Sequence, residues 1–494
     1  MKLLALRLCE HDSNFSYFDG KELHYFKSER TSQVKHHAFD NLWEWREVVK
    51  KIWNLDYNTI DEIAVVLDPW RHNFPTDFNI FPAIEYDLFP ARCKVWKVHH
   101  HYAHSLSSWV VDLREPAVSF IIDGYGDQDQ SWTVIKNNNI IAQGSLNLHG
   151  SIGTEMAEMG RLLGIDAEHG IDLAGKVMGL QSYGNIDNEF LKKIHNFSIY
   201  EIKKIFDISL WYTHKENKTL GKLTILDWAK TVHYQIGELL VLFFKKYANP
   251  NDVISYSGGV AQNVIWNTRI KEEFKNIIIP PHCNDEGLSL GAIEWLRIRN
   301  NLPKFLLKDF PFCQYDKSPV DVPTEETIKF VAGQLAEGKI VAWYQGHGEI
   351  GPRALGHRSI LMNPMIINGK EKINKIKNRE NYRPFGASVL AEYKEEYFDL
   401  QYDNPYMLFV GKSKKDLNCI THVDGTSRVQ TVSIDSPFKK LLKNFYDITG
   451  CPVLLNTSLN LAGKPIAGYP EDAIDFFQNT DIDVLVIGNS IYQK

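Results

Sequence analysis

One layout occurs twice in this chain, and that repetition constrains the fold more than any other feature. Residues 3–29 run as an apolar strand, the polar loop EHDSN, a second strand, a DGK turn and a third strand. Residues 117–146 run as AVSFIID, GYGDQDQS, WTVIK, an NNN turn and IIAQGSL. Short β-rich runs separated by turn residues mark each stretch as a hairpin meander. Two strand–acidic loop–hairpin units, roughly a hundred residues apart, imply a duplicated α/β core that holds a nucleotide between similar halves. VISYSGGVAQN continues the theme with a strand, a Gly-Gly turn and a helix start, which aims backbone N–H groups at an anion.

Further along, residues 300–323 hold four of the chain's twenty prolines and no clear periodicity, so the domain boundary is placed there. TEETIKFVAGQLAEG then reads as an amphipathic helix with a threonine cap that closes at Gly338. The expected organisation is a first domain over 1–305, a linker over 306–323 and a second domain over 324–494. At 44% hydrophobic and 23% charged residues, the chain can bury sizeable cores. Its net charge of −6 argues against a broadly basic surface that coats nucleic acid. Six cysteines without a CxxC pair point to reduced thiols, with neither a disulfide framework nor a zinc ribbon. The start, MKLLALRLCEHD, has too short an apolar core for a signal peptide, and the run LLVLFF at 239–244 is far below the ~20 residues that span a bilayer. A cytoplasmic protein without membrane contact is the expectation.

The second half carries a cationic constellation. GKIVAWYQGHGEIGPRALGHRSILMN holds Arg353 and Arg358, KNRENYRPFG adds Lys377, Arg379 and Arg383, and HVDGTSRVQTV adds Arg428. Glycines let backbone N–H groups approach an anion, and guanidinium forks bind its oxygens in pairs. A small, doubly charged phosphate ester suits such loops.

A metal-type pattern lies far upstream. VHHHYAHS puts His99, His100, His101 and His104 within six residues. On a helix starting near His99, His100 and His104 stack one above the other, while Ala103, Leu106 and Val110 form a buried stripe. Two imidazoles on one face, with a carboxylate from elsewhere, can hold a divalent transition metal; a polar helix face with incidental histidines is the bland alternative. Asp285 in NDEGLSLGA offers a third ligand, or caps the helix that follows. Asp123, Gly124, Gly126 and Asp127 in DGYGD read as a phosphate loop whose acids orient a metal or water, or as a tight hairpin. His11 and Asp12 sit at the matching place after the first strand, where a histidine accepts a proton near neutral pH unless it is merely a surface residue. Glu29, Arg30, Lys35 and His36 bind phosphate or acceptor, or form polar surface; Lys176 in GKVMGLQSYG is another cationic candidate.

Taken together, these motifs resemble the O-carbamoyltransferase family of the nodulation, cephamycin and tobramycin-modifying enzymes. GPRALGHRSILMNP, KNRENYRPFGASVL, HVDGTSRVQTV and LLNTSLNLAGKPI occur in the family's order, and EHDSN, SERTSQVKHH, HHHYAH, DGYGD, GKVMGLQSYG, SGGVAQN and the NDEG loop extend the match over nearly the whole chain. The resemblance implies a duplicated actin-like, ASKHA-type domain similar to the TsaD transferase, followed by an α+β YrdC-like domain. The YrdC-like domain would make carbamoyladenylate from carbamoyl phosphate and ATP. The TsaD-like domain would pass the carbamoyl group to an acceptor hydroxyl. The implied cofactors are Fe2+, or another divalent transition metal, and Mg2+ with ATP. By motif, His100, His104 and Asp285 become metal ligands, His11 the base, with Asp12 and Lys35 beside it. Gly126, Asp127, Lys176, Gly258 and Gly259 would line the adenylate site. Arg353, Arg358, Lys377, Arg379, Arg383 and Arg428, with Asn456 and Ser458, would hold carbamoyl phosphate and ATP. HDSN and QSYG depart from the family's usual wording and bear on acceptor access and the cleft.

Two other readings compete. A kinase of the actin-like fold would explain DGYGD and SGGVAQN but leave the arginines without a job. A non-catalytic nucleotide sensor would predict a broken ligand set. The acceptor stays open: a sugar or antibiotic alcohol, or a hydroxymethylated pyrimidine, free or in DNA. Trp43, Trp45, Trp70 and Trp96, with Lys50–Lys51 and Lys203–Lys204, could stack on and pair with nucleic acid, although such residues more often serve as core and surface. Oligomeric state is not readable from the sequence.

Overall fold

Both meanders are present. In the computed structural model, which describes residues 1–69, 71–72, 83–112, 114–216, 225–304, 307–315 and 320–494, the first comprises β1 (Leu3–Arg7), β2 (Asn14–Phe18) and β3 (Leu23–Lys27). Its antiparallel register aligns Arg7 with Asn14 and Asn14 with Lys27, so the EHDSN loop and the start of KSER lie at one end. β4 (Glu62–Val66) lies beside β1. β5 (Ala83–Glu85) pairs antiparallel with β6 (Lys94–Val98).

The second meander is β7 (Val118–Ile122), β8 (Gln130–Lys136) and β9 (Asn139–Ser145). β10 (Ile254–Ser257) joins parallel to β7, and β11 (Ile277–Ile278) parallel to β10, in the order β11-β10-β7-β8-β9. β7, VSFII, is buried on both faces, and its one polar side chain, Ser119, accepts a hydrogen bond from Ser255 Oγ at 2.8 Å. Because β7 and β10 run parallel side by side, the DGYGD and SGG loops leave the sheet at the same end of the strands.

The C-terminal half folds around an eight-stranded mixed sheet. Its strands are β12 (Val341–Tyr344), β13 (Arg358–Met362), β14 (Gly386–Leu390), β15 (Val410–Lys412), β16 (Thr426–Val432), β17 (Val453–Ser458), β18 (Val484–Ile487) and β19 (Ser490–Gln493), in the order β15-β16-β14-β17-β13-β12-β18-β19. The expected helix is Glu325–Ala336, and the Thr324 side chain accepts the Thr327 N–H as its cap. A second helix, Pro437–Thr449, opens with Ser436 as cap and proline in its first turn, and ends at Gly450 in the left-handed region. Ile328, Val331 and Leu335 pack with Leu441, Leu442 and Phe445 into the sheet's core.

Packing divides the chain into two units. One comprises Met1–Val65, Tyr86–Val95 and Leu296–Lys494; the other comprises Val66–Glu85 and Trp96–Trp295. The first meander therefore groups with the C-terminal sheet. Among the described residues, no helix is long and apolar enough to cross a membrane.

Candidate active site

In the unit containing the second meander, the histidine motif folds as the helix His100–Ser107 with His99 at its N-cap. All four histidines are buried, which rules out a solvated polar face. His99 provides no side-chain cap; instead Asp127 Oδ2 accepts the His100 N–H at 2.8 Å, while its other oxygen lies 3.7 Å from Lys97. Asp127 thus anchors the start of the helix, where a carboxylate also complements the dipole. Gly126 lets the loop approach, because a Cβ there would lie 2.7 Å from the His101 ring.

The Nε2 atoms of His100 and His104 converge on two carboxylates. Asp285 Oδ1 lies 3.5 and 3.3 Å away, and Asp123 Oδ2 lies 3.6 and 2.9 Å away. The donor atoms of the four residues all lie within 4.8 Å of one another. Asp123 is oriented by the glycine loops: its Oδ1 accepts the N–H of Gly124 at 2.7 Å and of Gly259 at 3.1 Å, leaving Oδ2 for the histidines. Gly258 is required between them, since it sits at φ 93° with a would-be Cβ only 2.3 Å from the Ile122 carbonyl. Asp285 opens a short 3-10 turn, Asp285–Gly287, whose cap position is Asn284, so Asp285 points at the histidines and does not cap the helix.

Burial works against the charged form of His100, yet Asp285 and Asp123 outweigh it and push the imidazole up to about 10. Burial would raise Asp123, but the imidazoles of His100 and His104 close beside it hold it well below the usual carboxylate range. The ring nitrogens of both histidines and Oδ2 of Asp123 are buried without a hydrogen bond of normal geometry. Two imidazoles and two carboxylates buried together call for a cation, and this donor set fits a divalent transition metal. Asp123, named in the sequence only as part of the phosphate loop, is the fourth member. Its signal was its place at the end of an apolar strand, which does not reveal what it faces.

In the other unit, the C-terminal loops gather Arg353, Arg379, Arg383 and Arg428. Burial, then repulsion from Arg353, Arg379 and Arg383, pushes the Arg428 guanidinium well down; burial, then Arg383, does the same to Arg379. Nε of Arg379 and of Arg428 is buried without a hydrogen-bond partner. Glu380 lies 3.4 Å from Arg383. Like charges crowded in this way are stabilised by an anion. Cross-strand register places Arg428 of β16 beside Gly386 of β14 and Gly386 beside Asn456 of β17. Buried Asn456 donates to Ser388 Oγ at 3.0 Å. Lys377 donates to the backbone oxygens of Ser458 and Asn460, which ties its loop to the end of β17.

Arg358 is the correction. Expected among the phosphate-binding arginines, it is instead buried with its guanidinium 3.5 Å over the Tyr344 ring, donating to the carbonyls of Gln345, Gly346 and His357. It pins the loop that presents Arg353. Glu349 helps, its Oε1 accepting the N–H groups of Leu355, His357 and Arg358 at 2.7, 3.1 and 3.1 Å.

His11 and Asp12 lie in this same unit, where His11 Nδ1 is 2.9 Å from Asp12 Oδ2. Asp12 also meets Lys27 and His36, at 3.2 and 3.1 Å. Burial would raise Asp12, but Lys27, His36 and the hydrogen bonds from His11 and His36 hold it well below its ordinary value. Lys35 is half-buried in the loop next to His36. Lys176, on the helix Asp172–Leu180, donates to the Asp166 carbonyl. Of the tryptophans, Trp45 stacks on Phe89 in the core and Trp96 packs on Trp295, Trp43 is exposed, and Trp70 lies outside the described residues. Two of the four are therefore spent on packing.

Comparison with known proteins gives the class and the family. Residues 89–293 match the family model "Carbamoyltransferase N-terminus" and residues 332–494 match "Carbamoyltransferase C-terminus". An uncharacterized protein of Methanocaldococcus jannaschii is 32% identical over 433 residues, covering 80% of this chain and 82% of its own. Nodulation protein NolO of Bradyrhizobium diazoefficiens is 30% identical over 444 residues, covering 80% of this chain and 79% of its own. The 3'-hydroxymethylcephem-O-carbamoyltransferase of Amycolatopsis lactamdurans is 33% identical over 250 residues, 48% of each chain. The chain belongs to the carbamoyltransferase family, and it is an enzyme.

Proposed function

We propose that the protein is an ATP-dependent O-carbamoyltransferase of the cytoplasm. A YrdC-like domain over 324–494 makes carbamoyladenylate: water releases phosphate from carbamoyl phosphate, and the resulting carbamate attacks the α-phosphate of ATP and displaces pyrophosphate. A TsaD-like domain of the actin-like, ASKHA type over 1–305 passes the carbamoyl group to an acceptor hydroxyl. The observation that carries this reading is the coexistence, on a chain of this family, of the arginine cluster and the His2Asp2 set. A kinase has no use for the former, and a sensor without turnover has no reason to keep the latter intact.

Arg353, Arg379, Arg383 and Arg428 bind the phosphate oxygens and neutralise them as ATP is attacked, with Mg2+ accompanying the nucleotide. His100, His104, Asp123 and Asp285 would hold Fe2+ or a similar ion; when bound, it supplies Lewis acidity toward phosphate oxygens. His11 keeps its Nδ1 on Asp12, so Nε2 is the nitrogen that accepts the proton of the acceptor hydroxyl.

The test is incubation with ATP, labelled carbamoyl phosphate and a panel of alcohols that includes hydroxymethylated DNA, read by mass spectrometry. His104→Ala should abolish transfer while leaving adenylate formation, and Arg353→Ala should stop adenylate formation. Full transfer by His104→Ala would overturn the metal-centre assignment. Steep loss of activity with added salt would mark a DNA acceptor.

A further inference from the structure

We propose that Asn374 reads the carbamoyl group of carbamoyl phosphate, its amide oxygen accepting from the substrate's amino group and its amide nitrogen donating to the carbonyl oxygen. The inference rests on the adenylate-forming reading of the arginine cluster and adds the residue that selects its one-carbon substrate.

Asn374 is 2% exposed, and its Oδ1 and Nδ2 are both buried without a hydrogen-bond partner. A buried amide that pairs with nothing costs free energy at each end, so a group offering both a donor and an acceptor belongs against it. Asn456, also buried, leaves only Oδ1 open, because its Nδ2 donates to Ala354, Ser388 and Gln430.

Local geometry turns Asn374 toward the arginines. It lies in the last turn of the helix Gly369–Ile376. That helix ends with Asn378 in the left-handed region, at φ 46°. The Arg379 N–H reaches back to the Asn374 carbonyl at 3.0 Å, and the Asn378 N–H to the Lys375 carbonyl at 3.2 Å. In a helix end of this type, the side chain of the third-last helical residue meets that of the residue two past the cap. Those residues are Asn374 and Arg379. The Arg379 guanidinium lies 4.6 Å over the Phe385 ring and gives one N–H to the Pro384 carbonyl at 2.7 Å, while its Nε stays without a partner. Both residues belong to one packing unit.

The neighbours decide which ligand. Lys370 stands one turn before Asn374 on the same helix face. Burial pushes its ammonium down, Glu371 opposes this, and Arg379 adds to it. Lys377 follows at the helix end, with Nζ on oxygens of Ser458 and Asn460. Lysine and arginine only donate, so they grip phosphate and carboxylate oxygens without telling an amino group from a methyl group. An amide oxygen does. The cations also argue against a nucleobase edge, which offers a similar donor–acceptor pair. Adenine stands a ribose away from the nearest phosphate, whereas the carbamoyl group is one bridging oxygen from a doubly charged one. Carbamate, once released by water, keeps the amino group and carries charge itself, so the same contacts hold it for attack on ATP.

The experiment measures carbamoyl-phosphate-dependent release of pyrophosphate from ATP, with acetyl phosphate as competing inhibitor, in wild type and Asn374→Leu. Leucine has nearly the same size and shape but neither donor nor acceptor. Wild type should favour carbamoyl phosphate over acetyl phosphate by at least about tenfold. Asn374→Leu should raise KM for carbamoyl phosphate about 10- to 100-fold, hold KM for ATP within about twofold and leave inhibition by acetyl phosphate unchanged. Its thermal midpoint should hold or rise, because leucine replaces an amide that has no partner in the free protein. An unchanged KM for carbamoyl phosphate would overturn the proposal whatever the midpoint, and a rise confined to the KM for ATP would overturn it in favour of base recognition. If wild type releases no pyrophosphate, the adenylate-forming reading falls. Calorimetry with carbamoyl phosphate and acetyl phosphate then decides the role of Asn374: equal affinities in wild type sink it, and a preference lost in Asn374→Leu sustains it.

Discussion

At the residue scale, identical letters do different work. Arg353 and Arg358 stand five positions apart in one motif and look equivalent in the sequence. The strand β13 begins at Arg358 and turns that side chain under the loop, onto Tyr344, leaving Arg353 to join the arginine cluster. The i, i+4 spacing made the histidine pair legible, because one helix suffices to stack them. It could not place Asp123 beside that pair, because the approach depends on two glycine N–H groups, one on another strand's loop, that take one oxygen and leave the other for the histidines. Asp123→Asn and Asp285→Asn are expected to lose bound iron on gel filtration, read by elemental analysis. Asp127→Asn should retain the ligands but weaken metal binding by about 10- to 100-fold, as loss of a residue that orients a ligand does. Stoichiometric iron in Asp123→Asn would show that the set has three members.

Elements approach one another only where side chains allow it. The helix Leu288–Arg299 follows Asp285 and packs against His100–Ser107, and a Cβ on Gly291 would come 1.7 Å from the Ala103 carbonyl. The carboxylate therefore meets the two imidazoles partly because glycine stands at a position far from any ligand atom. Gly291→Ala is expected to cost about 1–3 kcal/mol from overpacking and to impair iron retention, although it changes no ligand. Gly333, on the helix Glu325–Ala336, is the contrast, since a Cβ there meets nothing within 4 Å. Gly333→Ala should leave iron retention intact and change stability by no more than about 1 kcal/mol, in the favourable direction. Thermal midpoints and iron content of the two variants, measured side by side, check both expectations.

At the scale of the whole molecule, the first 65 residues belong by packing with the last 199, Leu296–Lys494. Arg30 donates to the Gly351 carbonyl at 2.9 Å, and a Cβ on Gly468 would strike the Arg30 carbonyl at 1.7 Å. Gln314, in the proline-rich segment, exchanges side-chain hydrogen bonds with Lys27 and gives its N–H to Gly348 at 3.2 Å. A stretch that reads as a linker is thus a splice between β3 and the loop before Arg353. Hydrogen exchange in rising urea should show β1 and β17 opening together, within about 1 kcal/mol, as one cooperative unit; early exchange of β1 alone would contradict it. Strands, turns, caps and the stacked histidines were readable because each depends on residues a few positions apart, and the family was readable because its motifs are long and ordered. Only tertiary structure decided that Asp123 joins the metal-type set, that Arg358 leaves the arginine cluster, and that Asp12 carries two imidazoles. Those outcomes turn on contacts between segments distant in sequence, which no spacing encodes.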